Sequence, residues 1–263
     1  KPYYEIFPKT DGPTEGCRKA LERLEDGEEE IAVPAMDRVF NAKFFLVRDA
    51  DGAYLYSLHI LQDVTERKKA EKDLHDLFLA AMESLASAIE AKSPWTRGHS
   101  ERVADYALKI GAGMELPDDE LEKLRIAALL HDIGKIGTDD GILDKPGKLT
   151  GAEYDSIKRH PGKGAEMLAP IRQLHDIIPW IRGHHERFDG TGYPDGLRGE
   201  DIPLYARILA VADTFDSMTA ERPYRTTPGK AQALEEIQRH AGTQFDPRMV
   251  EAFLRVEAPA SPN

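Results

Sequence analysis

The chain has 263 residues, of which 41% are hydrophobic and 31% charged, with a formal net charge of −12. These values exclude a disordered chain and fit one large globular domain, or a catalytic domain with a smaller partner. No apolar run approaches the ~20 residues that cross a bilayer, and no signal peptide opens the chain. The acidic balance argues against DNA or RNA as a partner, but leaves room for a small anionic ligand in a locally cationic pocket. The single cysteine, Cys17, excludes an internal disulfide, fits a reducing cytoplasm, and reads as a small, partly buried residue. Lys1-Pro2-Tyr3-Tyr4-Glu5 reads as the interior of a domain, so upstream sequence is expected and an upstream membrane anchor is left open.

Residues 1–64 mix turn signals with short alternating apolar runs. Glu15 to Leu24 reads as a short helix. Phe44 to Arg48 and Tyr54 to Leu61 are β-rich runs on either side of Asp49-Ala50-Asp51-Gly52, the pattern of a hairpin. The region closes on Gln62-Asp63-Val64-Thr65-Glu66-Arg67, an Asp-x-Thr step running into a charged helix. In this it resembles the latter part of a PAS sensor domain, without that fold's opening strands. Residues 65–91 form a helix candidate free of proline and glycine. Leu74, Phe78, Ala81, Leu85 and Ala88 recur with gaps of four and three, a heptad seam that predicts either a parallel coiled-coil homodimer or one amphipathic helix packed on its own domain.

Residues 92–256 read as dominantly helical. Helices are expected over Arg102–Met114, Asp118–Leu130, Glu153–Leu168, Leu204–Met218 and Lys230–His240. Thr150 and Glu153 form a capping box, while Thr227-Pro228 and Asp246-Pro247 each place an N-cap before proline. Residues 257–263 read as a frayed tail.

This third region holds the residues that carry chemistry. His131-Asp132 closes the apolar run Ile126 to Leu130 and offers an imidazole nitrogen beside a carboxylate able to bridge two ions. Lys135 follows about one helical turn later. His184-His185 adds two imidazoles ahead of the glycine-rich turn Asp189 to Pro194, and Asp213 lies on an apolar helix where an uncompensated carboxylate is expensive. Singly, each has a bland reading: a helix-end hydrogen bond, an exposed loop histidine, a solvated lysine. The ordered set His99, His131-Asp132, His160, His184-His185 and Asp213 points instead to a metal centre. His59, His75, His175 and His240 read as surface or packing residues.

The same segments carry a family resemblance. Thr96-Arg97-Gly98-His99, His131-Asp132-Ile133-Gly134-Lys135, His160-Pro161, His184-His185-Glu186 through Gly192-Tyr193-Pro194, Ile208 to Asp213, and Arg222-Pro223-Tyr224-Arg225 resemble the HD-GYP phosphodiesterases, a branch of the HD metal-dependent phosphohydrolases. The resemblance implies a mainly α chain: an all-helical HD-type domain over 92–256, preceded by a truncated α+β PAS-like segment (1–64) and a coiled-coil linker helix (65–91). It implies two divalent metal ions, iron or manganese, bridged by Asp132. His131 and Asp213, with His99 directly or through a water, would complete one side; His160, His184 and His185 would complete the other. The glutamate that binds a third metal in some members has no counterpart in Ser93-Pro94-Trp95-Thr96. Lys135 would contact a phosphoryl oxygen or assist the leaving group. Tyr193, Pro194, Arg222 and Arg225 would contact or shape the site for substrate.

The activity so implied is hydrolysis of cyclic di-GMP to linear pGpG, with onward cleavage to GMP open, in cytoplasmic second-messenger signalling; a diguanylate cyclase is a candidate partner. Alternatives are hydrolysis of another cyclic dinucleotide such as cyclic GMP-AMP or of a linear dinucleotide, a catalytically weak receptor, and nucleotide phosphohydrolysis as in other HD proteins.

Overall fold

The computed structural model describes residues 15, 18, 26–92, 97–143, 145, 147–220 and 229–257. Most of the expected helix over 15–24, Cys17, Ser93 to Thr96, Arg222, Arg225, the Thr227-Pro228 cap and the tail from Ala258 lie outside the described residues. The chain divides into two compact units between Phe78 and Leu79. Among the described residues no helix is long and apolar enough to cross a membrane.

In the first unit, β1 (Gly27–Val33), β2 (Arg38–Arg48) and β3 (Tyr54–Asp63) form an antiparallel sheet in the order β1-β2-β3. The expected hairpin is β2–β3. Its turn is held by Asp49, whose Oδ1 accepts from the backbone N–H groups of Asp51 and Ala53, and by Gly52 at φ +83°, a conformation that glycine adopts without a Cβ clash. Strand β1 is additional to the expected elements, since Glu28-Glu29-Glu30 shows no apolar alternation of its own. Alternation explains it: Ile31 and Val33 pack with Ala42 and Phe44 on one face, while Glu28 takes a hydrogen bond from Asn41 at 2.7 Å on the other. Asp63 then caps the next helix, its Oδ1 accepting from the Thr65 N–H at 3.0 Å and hydroxyl at 2.6 Å; these bonds, with Arg38, hold its carboxyl at about 2.

Helix α1 spans Thr65–Glu90 without interruption. It buries Met82 and Ala86, one turn apart. The seam residues Leu74, Ala81, Leu85 and Ala88 are exposed, with Leu74 at 68%, and Phe78 is half-buried. The face that the heptad pattern singles out is therefore not the face α1 buries within the chain.

The second unit is helical: α2 (His99–Gly113), α3 (Asp118–Leu130), α4 (Asp140–Leu143), α5 (Gly151–Lys158), α6 (His160–Leu168), α7 (Ile178–Gly183), α8 (Leu204–Thr219), α9 (Lys230–Arg239) and α10 (Pro247–Glu257), with a 3₁₀ turn over Ile133–Gly137. Helix α8 is central and packs on α2, α7, α9 and α10. Its Ile208, Leu209, Val211, Ala212 and Phe215 are all but inaccessible, and each large side chain so buried contributes about 1.5–3 kcal/mol. Phe215 meets Tyr106 of α2 and Phe253 of α10 edge-on, with ring centroids 4.8 and 4.9 Å away.

One expectation is corrected, and one helix is new. The single helix over Glu153–Leu168 is two helices that meet at Arg159, because Pro161 enters α6 in its first turn, where it has no N–H to give to a continuous ladder. Helix α7 was not foreseen; its six residues are too few to show a period. The Thr150–Glu153 capping box is present in full.

Candidate metal centre

Three histidines reach the centre by the same local device. His131 follows the last turn of α3, His160 follows α5, and His184 follows α7. The last carbonyls of a helix have no intrahelical donor. Here each accepts from the Nδ1 of the histidine three residues on: Ala128 O from His131 at 2.7 Å, Ile157 O from His160 at 2.8 Å, and Ile181 O from His184 at 2.5 Å. A carbonyl can only accept, so Nδ1 carries the proton and Nε2 presents a lone pair inward. Such backbone anchoring fixes tautomer and ring orientation in the way metal-binding histidines require.

The inward atoms converge. Asp132 Oδ1 lies 3.2 Å from His160 Nε2, and Asp132 Oδ2 lies 3.4 Å from His131 Nε2 and 3.8 Å from His99 Nε2. Asp213 Oδ1 lies 3.3 Å from His99 Nε2. Three ligand groups result, namely His99-His131-Asp213, His160-His184-His185, and His131-Asp132-His184. The two carboxylate oxygens of Asp132 thus face different histidine sets. Two features fit a cation there. His131 Nε2 and Asp132 Oδ1 are buried without a hydrogen-bond partner, and His160 Nε2 and His184 Nε2 stand 3.3 Å apart with both lone pairs inward.

Charge at the centre has the same sense. Burial alone would raise the Asp132 carboxyl, yet Lys135, His131 and His160 hold it well below the usual carboxylate range. Burial keeps His184 neutral and pushes His185 down to about 3. Burial also opposes charge on His99, but Asp213 and Asp216 outweigh it and raise His99 to about 10. Lys135 sits in the 3₁₀ turn with Nζ 2.5 Å from Asp132 Oδ2. A cavity of about 210 Å³ opens beside these groups, lined by His99, Lys135, His160, His185, Tyr193 and Asp213 among others. The Tyr193 ring lies tilted on His185 with centroids 4.9 Å apart, and burial raises its phenol. Pro194 is exposed at the end of the same segment.

The HD domain family model matches residues 83–249, more than half of the chain. The chain belongs to the HD domain family. It is 44% identical over 178 residues to the cyclic di-GMP phosphodiesterase response regulator RpfG of Xanthomonas campestris, covering 66% of this chain and 47% of that one. It is 40% identical over 186 residues to the 3′3′-cGAMP-specific phosphodiesterase 3 of Vibrio cholerae, covering 70% and 40%. Among solved structures, the cyclic GMP-AMP-specific phosphodiesterase V-cGAP3 of V. cholerae superposes with a TM-score of 0.52 at 25% identity, over 68% of this chain and 48% of that one. The chain thus spans about half the length of these relatives.

Several residues that shape this HD domain lie outside the quoted segments or had no contact assigned from them. Asp216, one helical turn after Asp213, is buried and holds His99 Nδ1 at 2.7 Å, while Arg102 binds it through Nε at 2.6 Å and Nη2 at 3.1 Å. The i, i+3 spacing on α8 was the available signal. Glu186 is buried, and its Oε1 accepts from the N–H groups of Asp195 and Gly196 at 2.7 and 3.0 Å, fixing the loop that carries Tyr193. Arg182 grips Asp195 with two bonds, and Arg187 binds Asp189, Thr191 and Gln244. Gly192 is required by close approach, since a Cβ there would stand 2.3 Å from the Arg187 nitrogen. His175 and His240 lie apart from the centre, on Ala169 O and Glu236.

Proposed function

We propose that the protein is a metal-dependent phosphodiesterase of the HD-GYP branch that hydrolyses cyclic di-GMP to linear pGpG. The observation that carries this reading is the pair of three-ligand groups joined through the two oxygens of Asp132. His99, His131 and Asp213 would hold one divalent ion, His160, His184 and His185 a second, with Asp132 shared between them. Mixed imidazole and carboxylate donors suit iron or manganese. Two such ions, when bound, would supply a water of lowered pKa and neutralise charge on the phosphoryl oxygens.

The chain's own groups do the rest. The Nδ1 bonds to the Ala128, Ile157 and Ile181 carbonyls hold three imidazoles with Nε2 aimed inward. Lys135, paired with Asp132 on the wall of the cavity, would contact a non-bridging phosphoryl oxygen or protonate the leaving ribose oxygen. Tyr193 on the cavity wall offers a face for guanine, and its raised phenol stays protonated as a donor. Arg222 and Arg225, with Pro194 shaping the loop, complete the proposed substrate contacts; a three-residue spacing lets both guanidinium groups address one phosphate.

A second substrate, 3′3′-cyclic GMP-AMP, is favoured by the relatives whose names specify it. The experiment is direct. Protein purified without oxygen and analysed for metal is offered both cyclic dinucleotides, and linear products are followed by chromatography. Expected are about two ions per chain, turnover of cyclic di-GMP, and no turnover by Asp132→Ala. Cleavage of cyclic GMP-AMP alone would reassign the substrate. Tight binding without cleavage at full metal occupancy would make the protein a receptor.

The first unit is read as the latter part of a PAS-type sensor, and the exposed seam of α1 as the contact of a parallel homodimer that passes its state onward. The domain scheme is then sensor (1–64), linker (65–91), catalytic domain (92–256) and tail (257–263). A cytoplasmic location follows from the single cysteine and the proposed substrate.

A further inference from the structure

The end of α1 touches both halves of the catalytic apparatus through two side chains, and neither belongs to a motif. Helix α2 begins at His99 behind Gly98, which has no side chain to cap it. Glu90, the last residue of α1, supplies the cap instead. Its Oε2 accepts from the Gly98 N–H at 2.6 Å and its Oε1 from the Ser100 N–H at 2.7 Å, on either side of His99. A carboxylate there satisfies two otherwise orphaned donors and complements the positive end of the helix.

Two residues later, Lys92 does the converse for the turn that bears Lys135. Its Nζ donates to the carbonyls of Thr138 at 2.8 Å, Ile136 at 3.0 Å and Lys135 at 3.4 Å, and pairs with Asp140 at 3.0 Å. Three carbonyls of one short turn therefore converge on a single ammonium. A 3₁₀ turn has poorer internal hydrogen bonds than an α-helix, so an external donor to its carbonyls sets its position more strongly than it would set a longer helix.

We propose that Glu90 and Lys92 are positioning residues: Glu90 fixes the helix start that presents His99, and Lys92 fixes the turn that presents Lys135. Because both sit at one helix end, a displacement of the end of α1 reaches His99 and Lys135 together. The proposal rests on the phosphodiesterase reading above and adds residues to it.

The two residues should fail differently. Lys92→Met removes the ammonium and keeps the aliphatic stem. Its expected effect is a fall of about tenfold in kcat, with KM and manganese affinity within twofold of wild type, and recovery of at least half the rate in Lys92→Arg. Glu90→Gln is expected to weaken manganese affinity about fivefold or more, read by competition with a chelator. Both variants are to be melted, and rates compared well below the lower melting temperature. The proposal is overturned if Lys92→Met keeps kcat within twofold, if its loss is not recovered by arginine, or if Glu90→Gln binds manganese as wild type does. A generic diester, bis(p-nitrophenyl) phosphate, serves alongside cyclic di-GMP. A wild type active only on the generic diester would fail the substrate reading and leave the Lys92 comparison intact. A wild type inactive on both would fail the phosphodiesterase reading, and the manganese titration of Glu90→Gln would still decide its half.

Discussion

Replacing Gly134 with alanine tests whether the site depends on close contact between the turn that carries Lys135 and helix α6. An alanine Cβ at 134 would stand 2.0 Å from the His160 carbonyl oxygen and 2.6 Å from the Gly164 nitrogen. Both are backbone atoms, so no side chain can swing aside. Restoring an ordinary van der Waals separation requires the turn and α6 to part by about 1 Å or more. Overpacking of this kind costs about 3 kcal/mol, which for a domain of this size lowers Tm by about 6–12 °C. The same displacement separates Asp132 and Lys135 from His160, and a misplacement of about 1 Å costs about a hundredfold in rate. Circular dichroism melting and kcat on cyclic di-GMP, with metal content measured on the same sample, provide the assay. Gly151→Ala is the control, since a Cβ there meets nothing within 4 Å at the first position of α5. A Gly134→Ala protein that melts within 2 °C of wild type and keeps kcat within twofold would refute the argument from close approach.

Three further outcomes are expected. Asp216→Ala should reduce manganese affinity about 10–100-fold by releasing the Nδ1 side of His99, measured by chelator competition; unchanged affinity would remove Asp216 from any orienting role. In chelator-treated protein, Tm should fall as pH drops from 6.5 to 5. His185 is held at about 3 in the fold against its ordinary 6.5, so the unfolded chain binds more protons across that window, and the stability present above 6.5 is lost on acidification. His99, raised to about 10, is charged in the fold throughout this window; its contribution opposes that of His185 near 6.5 and levels off toward pH 5 as the unfolded histidine also becomes charged, so the fall is steepest in the lower half of the range. A Tm that is flat or rises between pH 6.5 and 5 would contradict the burial of a neutral His185. Finally, Leu74→Glu with Leu85→Glu should convert a dimer to a monomer by light scattering, because both side chains are exposed along the seam of α1; a wild type that is already monomeric at micromolar concentration would end the coiled-coil reading.

Motif order was enough to name the histidines and aspartates that the fold brings together. Helical periodicity located the starts and ends of most long elements, because amphipathic faces repeat at 3.6 residues whatever they pack against. The hairpin, the capping box and the helix beginning near Asp246-Pro247 were legible for the same reason: turn and cap chemistry is local. What escaped was short or relational. Strand β1 hides under three glutamates, whose alternation with the buried face shows only once β2 lies beside it. Helix α7 is shorter than two turns, and the break at Arg159 turned on a proline inside an otherwise continuous pattern.

The sequence by itself determined the inventory of candidate donors: seven histidine and aspartate side chains, their order, and a lysine three residues after Asp132. It could do so because each type carries its chemistry in its own atoms. Only the tertiary structure decided which atoms meet. The aim of the His131, His160 and His184 Nε2 atoms depends on carbonyls at helix ends, the orientation of His99 on Asp216 of another helix, and the cap of the His99 helix on Glu90 of a third. Asp216 is distant in sequence, the carbonyls belong to backbone that every residue shares, and Glu90 reaches the His99 helix only because the fold brings the two helix ends together. Direction is a property of the packed fold, and no spacing along the chain encodes it.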